Sequence, residues 1–167
     1  MLLDVFHPRP PLALWRLFLI GMTLSLTLLG KLYGQTEQDD ILEVENVIQD
    51  FFAAMQQLDS SRLAAYLGDQ LVLQTVAKTP EGIHIQTTPS SDWLSSLGKL
   101  KGHSLEERVS NLVIQRDESL AHAWMDYQFF FDGNLHHCGV NSFVLVEKEE
   151  GWKVVHLIDT RRKCESN

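Results

Sequence analysis

The chain carries no Gly-x-Gly-x-x-Gly turn, Walker-type loop, Gly-x-Ser-x-Gly elbow or Cys-x-x-Cys pair, so nucleotide-dependent and serine-hydrolase chemistries lose the turns that support them. Positive charge is scarce: 14 Lys and Arg stand against 22 Asp and Glu, for a net charge of -8. Cations this few hold no phosphate backbone unless they are clustered, and no nucleic-acid partner is expected. Cysteine is scarcer still, with only Cys138 and Cys164. Neither lies behind an N-terminal apolar run, which removes a lipid-attachment site. Internal repeats and low-complexity stretches are missing too, and a 44% hydrophobic content is too high for a disordered tail. One ordinary domain fits these limits.

One long hydrophobic run is present. Residues 12–30 read LALWRLFLIGMTLSLTLLG, with Arg16 as the only charge. Arg9 and Arg16 make a positive n-region, Leu17 to Leu29 an apolar h-region, and Lys31-Leu32-Tyr33-Gly34 a polar exit, the layout of a signal peptide. Cleavage after Gly34 is expected, giving a signal peptide at 1–34 and one exported domain at 35–167, periplasmic or extracellular. Leu32 sits where a small residue is preferred, so an uncleaved single-span anchor is the alternative, and only then is a membrane contact expected. Loss of Asp4, Arg9, Arg16 and Lys31 with that segment leaves 133 residues with 11 basic and 21 acidic side chains, a net of -10. A chain of that size builds one core without needing disulfides.

Apolar residues recur at Ile41, Val44, Val47, Ile48, Phe51, Phe52, Met55 and Leu58, one face of a 3.6-residue period, which predicts a long helix. Asp39, Asp40 and Glu43 in its first turn suit the positive end of the helix dipole. Asp59-Ser60-Ser61 then interrupts, with Ser60 or Ser61 as the cap of a short helix from Arg62 to Leu67 that stops at Gly68. From Leu71 the period becomes two, and LVLQTVA and IHIQTT read as a hairpin about Thr79-Pro80-Glu81-Gly82. Ser90-Ser91-Asp92 opens a third helix, Trp93 to Leu97. Four strands follow as a meander: Glu107 to Gln115, Ala121 to Phe131, His136 to Glu147 and Trp152 to Thr160. Helices and strands are segregated, so the class is α+β: a curved antiparallel sheet wrapped over the N-terminal helix, with two further short helices, as a cone or half-barrel.

The N-terminal helix ending at Leu58-Asp59, the short helix RLAAYL, the strands AWMDYQFFFDG and HHCGVNSFVLV, and the closing GWKVVHLIDTRR resemble the nuclear transport factor 2-like (NTF2-like, SnoaL-like) superfamily over residues 38–163. The tryptophan-containing last strand is similar to that of its secreted bacterial members. The resemblance implies the cone but no single activity, since isomerases, dehydratases, cyclases and non-catalytic binding modules share it. In isomerase-like members a tyrosine on the first helix holds the oxyanion and a carboxylate on the first strand acts as base. The matching positions here are Phe51, and Gln74 or Thr75, none of which has that chemistry. Dehydratase-like members use paired histidines with a carboxylate inside the cone; His84, His136, His137 and His156 supply histidines, without an inward-facing acid on the first helix. The first functional expectation is therefore an apolar cone that binds a small hydrophobic ligand without catalysis or cofactor. A cofactor-independent lyase or isomerase using His156 with Tyr127 or Asp159 is the alternative.

A tight Lys148 to Gly151 turn places Val146 opposite Trp152, Val144 opposite Val154, Ser142 opposite His156 and Val140 opposite Ile158. One face then carries Trp152, Val154, His156, Ile158, Val144, Val140, Ser142 and Cys138. The other carries Val155, Leu157, Phe143 and Leu145, with Asn141, His137, Asp159 and Arg161 at one end. Both are apolar, so one should line the cone and the other should join a homodimer, with Phe143, Leu145, Val155 and Leu157 as expected contributors. Candidate pocket residues are Tyr127, His156, Asp159, Asn141, Ser142 and Trp93. Tyr127 shares its side of the strand with Phe129 and Phe131, and its phenol needs a partner if buried. Trp93 is placed as a lid, a position that packing explains as well. Asp159 with Arg161 or Arg162 reads as a ligand-orienting pair or a plain ion pair. His136 and His137 alternate in facing, so no metal is expected between them. Cys138 and Cys164 lie about 13 Å apart in this register, four residues along a strand. A disulfide with a folded-back tail, free thiols and an intermolecular bridge all stay open.

Overall fold

The computed structural model describes residues 39–164, so the expected signal segment at 1–34 lies outside the described residues. Among those described, no helix is long and apolar enough to cross a membrane. Helix α1 (residues 39–56) buries Val44, Ile48, Phe51, Phe52 and Met55 along one face, as the periodicity predicts. Leu58 ends it in the left-handed region, φ 55°. Its N–H donates to the Met55 carbonyl at 3.0 Å and that of Asp59 to the Ala54 carbonyl at 3.0 Å, closing two carbonyls of the last turn with leucine where glycine is usual.

Asp59, not Ser60 or Ser61, caps α2 (Ser60–Ala64), its Oδ1 accepting from the Arg62 N–H at 2.9 Å. The helix is shorter than expected. Val154 N–H donates to the Tyr66 carbonyl at 2.8 Å, so the sheet captures the chain before another helical turn forms. The rest of the chain is β1 (Leu67–Thr79), β2 (Gly82–Thr88), α3 (Ser90–Lys99), β3 (Leu105–Asp117), β4 (Leu120–Phe131), β5 (Asn134–Lys148) and β6 (Gly151–Thr160).

The strands form one six-stranded sheet in the order β2-β1-β6-β5-β4-β3. It is mixed where an antiparallel sheet was expected: β1 pairs with β6 in parallel, and every other neighbouring pair is antiparallel. These two strands lie far apart in sequence, so no hairpin sets their relative direction. The core sits between α1 and the concave face, where Phe51 meets Phe143 edge-on with ring centroids 5.1 Å apart.

The β5–β6 hairpin corrects the expected register. Glu147 pairs with Trp152 and Leu145 with Val154, but Val144 pairs with His156, so Val155 is a bulge. A bulge consumes one step of alternation and exchanges the faces beyond it. Trp152, Val154, Leu157 and Asp159 therefore point inward with Leu145, Phe143 and Asn141, while His156 and Ile158 point outward with Val144 and Ser142. Phe143 and Leu145 are completely buried, so they are not residues of an outer interface. The convex face instead shows Trp124 at 49% and Val113 at 54% exposure, paired across β3 and β4.

Cys138 and Cys164 form an intrachain disulfide, Cα atoms 5.1 Å apart. Cys138 and Arg162 exchange backbone hydrogen bonds at 3.0 and 2.8 Å, which draws the tail alongside β5 and back over the distance that the expected register left open.

Candidate active or ligand-binding site

A cavity of about 310 Å³ opens between α1, α3 and the concave face of the sheet. Phe51 and Phe52 come from α1, Trp93 and Leu97 from α3, Phe129 and Phe131 from β4, and Phe143 from β5. Alternation along β4 delivers Tyr127, Phe129 and Phe131 to this side and leaves Trp124 on the other. Trp93 stacks on Phe51, centroids 5.8 Å apart and planes within 21°, so it is part of the wall.

Polar groups gather at one end. Asp159, only 7% exposed, lies beside Thr75 on β1 and Asn141 on β5. Its Oδ1 accepts from Thr75 Oγ1 at 2.6 Å and its Oδ2 from Arg161 Nε at 2.9 Å. The Tyr127 hydroxyl lies 3.0 Å from Asp159 Oδ2 and 2.9 Å from the Thr160 carbonyl oxygen, so one proton serves two acceptors. Gly139 faces Tyr127 across β4 and β5, and a Cβ there would meet the Thr160 carbonyl oxygen and the tyrosine ring. Only glycine admits the phenol to this position. Burial first, then the Asp159 charge, raises the tyrosine pKa, so Tyr127 stays protonated.

Glu107 completes the group. Asn141 Nδ2 donates to its Oε1 at 2.6 Å. Burial of the carboxyl raises its pKa to about 7, helped by Asp159 and opposed by the Asn141 hydrogen bond and by Arg161. His137 lines the same end and is lowered to about 4, by burial first and then by the Arg161 charge and the neighbouring His136, so it is neutral at pH 7. A bulge opposite Phe129 and Phe130 leaves His136 without a partner in the ladder and brings its Nδ1 within 2.8 Å of His137 Nδ1. Adjacent strand residues normally diverge; the bulge overrides that here. No group of three or more potential metal ligands occurs among the described residues.

Four of the six candidate residues, Tyr127, Asp159, Asn141 and Trp93, line the cavity. His156 and Ser142 do not: the Val155 bulge turns His156 outward, and Ser142 alternates with the inward Asn141 and Phe143 on β5. There His156 Nε2 lies 3.1 Å from Gln74 Oε1, and Ser142 Oγ lies 3.0 Å from His122 Nε2. Periodicity alone does not mark Glu107, because it stands at the start of the expected strand. Starting it at Leu105, which is buried, places Glu107 on the same inward face.

Folding favours protonated Glu107, because its folded pKa of about 7 exceeds its ordinary 4.5. The linked stability is complete below pH 4.5 and is lost as pH rises through 7, by up to about 3 kcal/mol. Glu107→Gln is therefore expected to match the parent near pH 4 and to melt at higher temperature at pH 8. Parallel melting curves across that range, with no divergence, would show the carboxyl to be solvated.

No family model and no curated protein matches the sequence. Solved structures do match. An NTF2-like protein from Cytophaga hutchinsonii aligns with a TM-score of 0.60 at 18% identity, over 75% of this chain and 98% of that one. A candidate dehydratase of the NTF2-like family from Streptomyces avermitilis gives 0.60 at 16%, over 77% and 99%. A candidate scytalone dehydratase from Novosphingobium aromaticivorans gives 0.61 at 12%, over 80% and 93%. With this sheet, these helices and these neighbours, the chain has the NTF2-like α+β cone fold.

Proposed function

We propose that this chain is an exported small-molecule-binding module that holds a compact, largely apolar organic ligand in the cone without turning it over. The cavity carries this reading: aromatic rings make its walls and polar groups are confined to one end, the pattern by which a site buries a ligand and fixes its orientation. The N-terminal apolar run and the Cys138–Cys164 disulfide, a bond typical of oxidising compartments, support export. Apolar Trp124 and Val113 on the convex face support a two-fold dimer through that face. The test is a thermal-shift panel of neutral, acidic and basic aromatic ligands. One held at a hundred times its Kd adds about 2.7 kcal/mol, roughly 10 °C for a domain of this size. A panel without any shift would remove the reading.

One observation favours a second reading, a cofactor-independent lyase or isomerase. Glu107 is a carboxyl that gains and loses a proton near pH 7 inside an aromatic cavity, as an acid or base working at that pH requires. It replaces His156, whose outward position removes it from this role. Structural likeness to candidate dehydratases agrees with such chemistry. Under this reading a bound carbonyl compound exchanges its α-hydrogen for deuterium in D2O, and Glu107→Gln stops the exchange; under the first reading no exchange occurs.

A further inference from the structure

We propose that the cone selects an organic cation, a small aromatic or alicyclic amine whose ammonium group sits against Glu107. The proposal rests on the binding reading above and gives its ligand a charge.

Four ionisable side chains besides Tyr127 reach the polar end of the cavity: Glu107, Asp159, His137 and Arg161. Asp159 is already matched, since Thr75, Tyr127 and Arg161 direct three donors at its two oxygens. His137 carries no charge at pH 7. Glu107 is different. Its one donor among the described residues is the neutral Asn141 amide, on Oε1, which leaves Oε2 for whatever enters.

The three charge classes of ligand meet this arrangement unequally. An anion faces two carboxyl groups, and the guanidinium that would offset them is held by Asp159. A neutral molecule leaves Glu107 either ionised without a counter-charge or protonated. An ammonium group supplies both the missing charge and donors for Oε2, in a site where a charge-assisted hydrogen bond is strong. The walls agree, because Phe129 lies directly across from Glu107 in the β3–β4 ladder, and Phe131 and Trp93 also face the cavity. Their ring faces attract a cation where a plain aliphatic wall does not. The overall charge of -8 draws cations toward the protein from a distance.

This assignment fixes a pH dependence. The groups facing Glu107 are Tyr127 from β4, His137 and Asn141 from β5, Asp159 from β6 and Arg161 just after it. Tyr127 is held protonated and His137 neutral, so neither changes charge between pH 6 and pH 8. Glu107, with a pKa of about 7, does. An ammonium ligand needs the carboxylate, so its affinity is expected to fall about tenfold from pH 8 to pH 6 as Glu107 takes up a proton.

The experiment is calorimetry with 1-naphthylmethylamine, 1-naphthalenemethanol and 1-naphthoate on the unmodified chain, at pH 6 and pH 8. The expected result is that the amine binds at least about tenfold more tightly than the other two at pH 8, and loses that margin at pH 6. Glu107→Gln, a variant of nearly the same shape, should remove both the preference for the amine and its pH dependence. Tighter binding of the alcohol or the acid, or an amine affinity that does not change with pH, overturns the cation assignment and leaves the binding reading standing. Failure of all three to bind at either pH overturns both. The pH series on the unmodified chain decides the matter even if the variant does not fold.

Discussion

Phe143→Arg is expected to yield no folded protein. Phe143 has no exposed surface, and its ring lies 5.1 Å from Phe51 and 5.8 Å from Phe52, centroid to centroid. Removing that ring alone costs about 3–5 kcal/mol by the usual behaviour of large-to-small core changes. The arginine adds a longer, charged side chain to a fully packed aromatic layer, and overpacking with desolvation of the guanidinium costs more. The total reaches the whole stability of an ordinary domain, about 5–15 kcal/mol. Loss of the cooperative melting transition and of soluble yield is the readout. A soluble, folded Phe143→Arg monomer would instead put this residue on an outer interface. Trp124→Glu supplies the contrast, because a half-exposed side chain on the convex face is replaceable without a core cost. That variant should fold, and if the convex face is the dimer interface light scattering should report a monomer for it and a dimer for the parent.

Removing the disulfide is the second large effect. Cys138 and Cys164 are 26 residues apart, and the chain-entropy relation gives about 3.5 kcal/mol for closing a loop of that length. Replacing both cysteines by serine should lower Tm by more than 10 °C, on the order of 3.7 °C per kcal/mol for this size. A reducing agent should move the parent to the same value and leave the variant unchanged. A Tm indifferent to both treatments would mean that the tail is held by its backbone bonds to Cys138 alone.

Most of the fold is legible in the sequence because α1 and the meander write their periods plainly. Val44, Ile48, Phe51, Phe52 and Met55 mark a helix face, and the inward set Ala121, Ala123, Met125 and Tyr127 marks a strand face, where each step of the period has one meaning. The parallel β1–β6 contact leaves no local trace, since two strands joined through most of the chain need no particular turn. The bulge at Val155 is equally silent. Val154 and Val155 are both apolar, so either suits the core, and the choice depends on where β1 presses: Gly68 lies directly against the Val155 side chain. That one inserted residue decides that His156 faces solvent and Asp159 the cavity. Tyr127, Asn141 and Asp159 could be named from strand parity and their need for partners. Glu107 could not while it appeared as one of two consecutive acids at the ragged start of a strand.

The position of β6 has a consequence for the order in which this protein can be made. It is the last strand in the sequence, yet it lies between β1 and β5, and it alone joins the β2-β1 pair to the β5-β4-β3 group. Until the ribosome has released Trp152 to Thr160, the growing chain holds two separate sheet fragments with unpaired edges, each open to other strands. Completion of the sheet therefore waits for β6, whatever the order in which the other strands pair. The Cys138–Cys164 bond comes later still, because its second cysteine follows that strand.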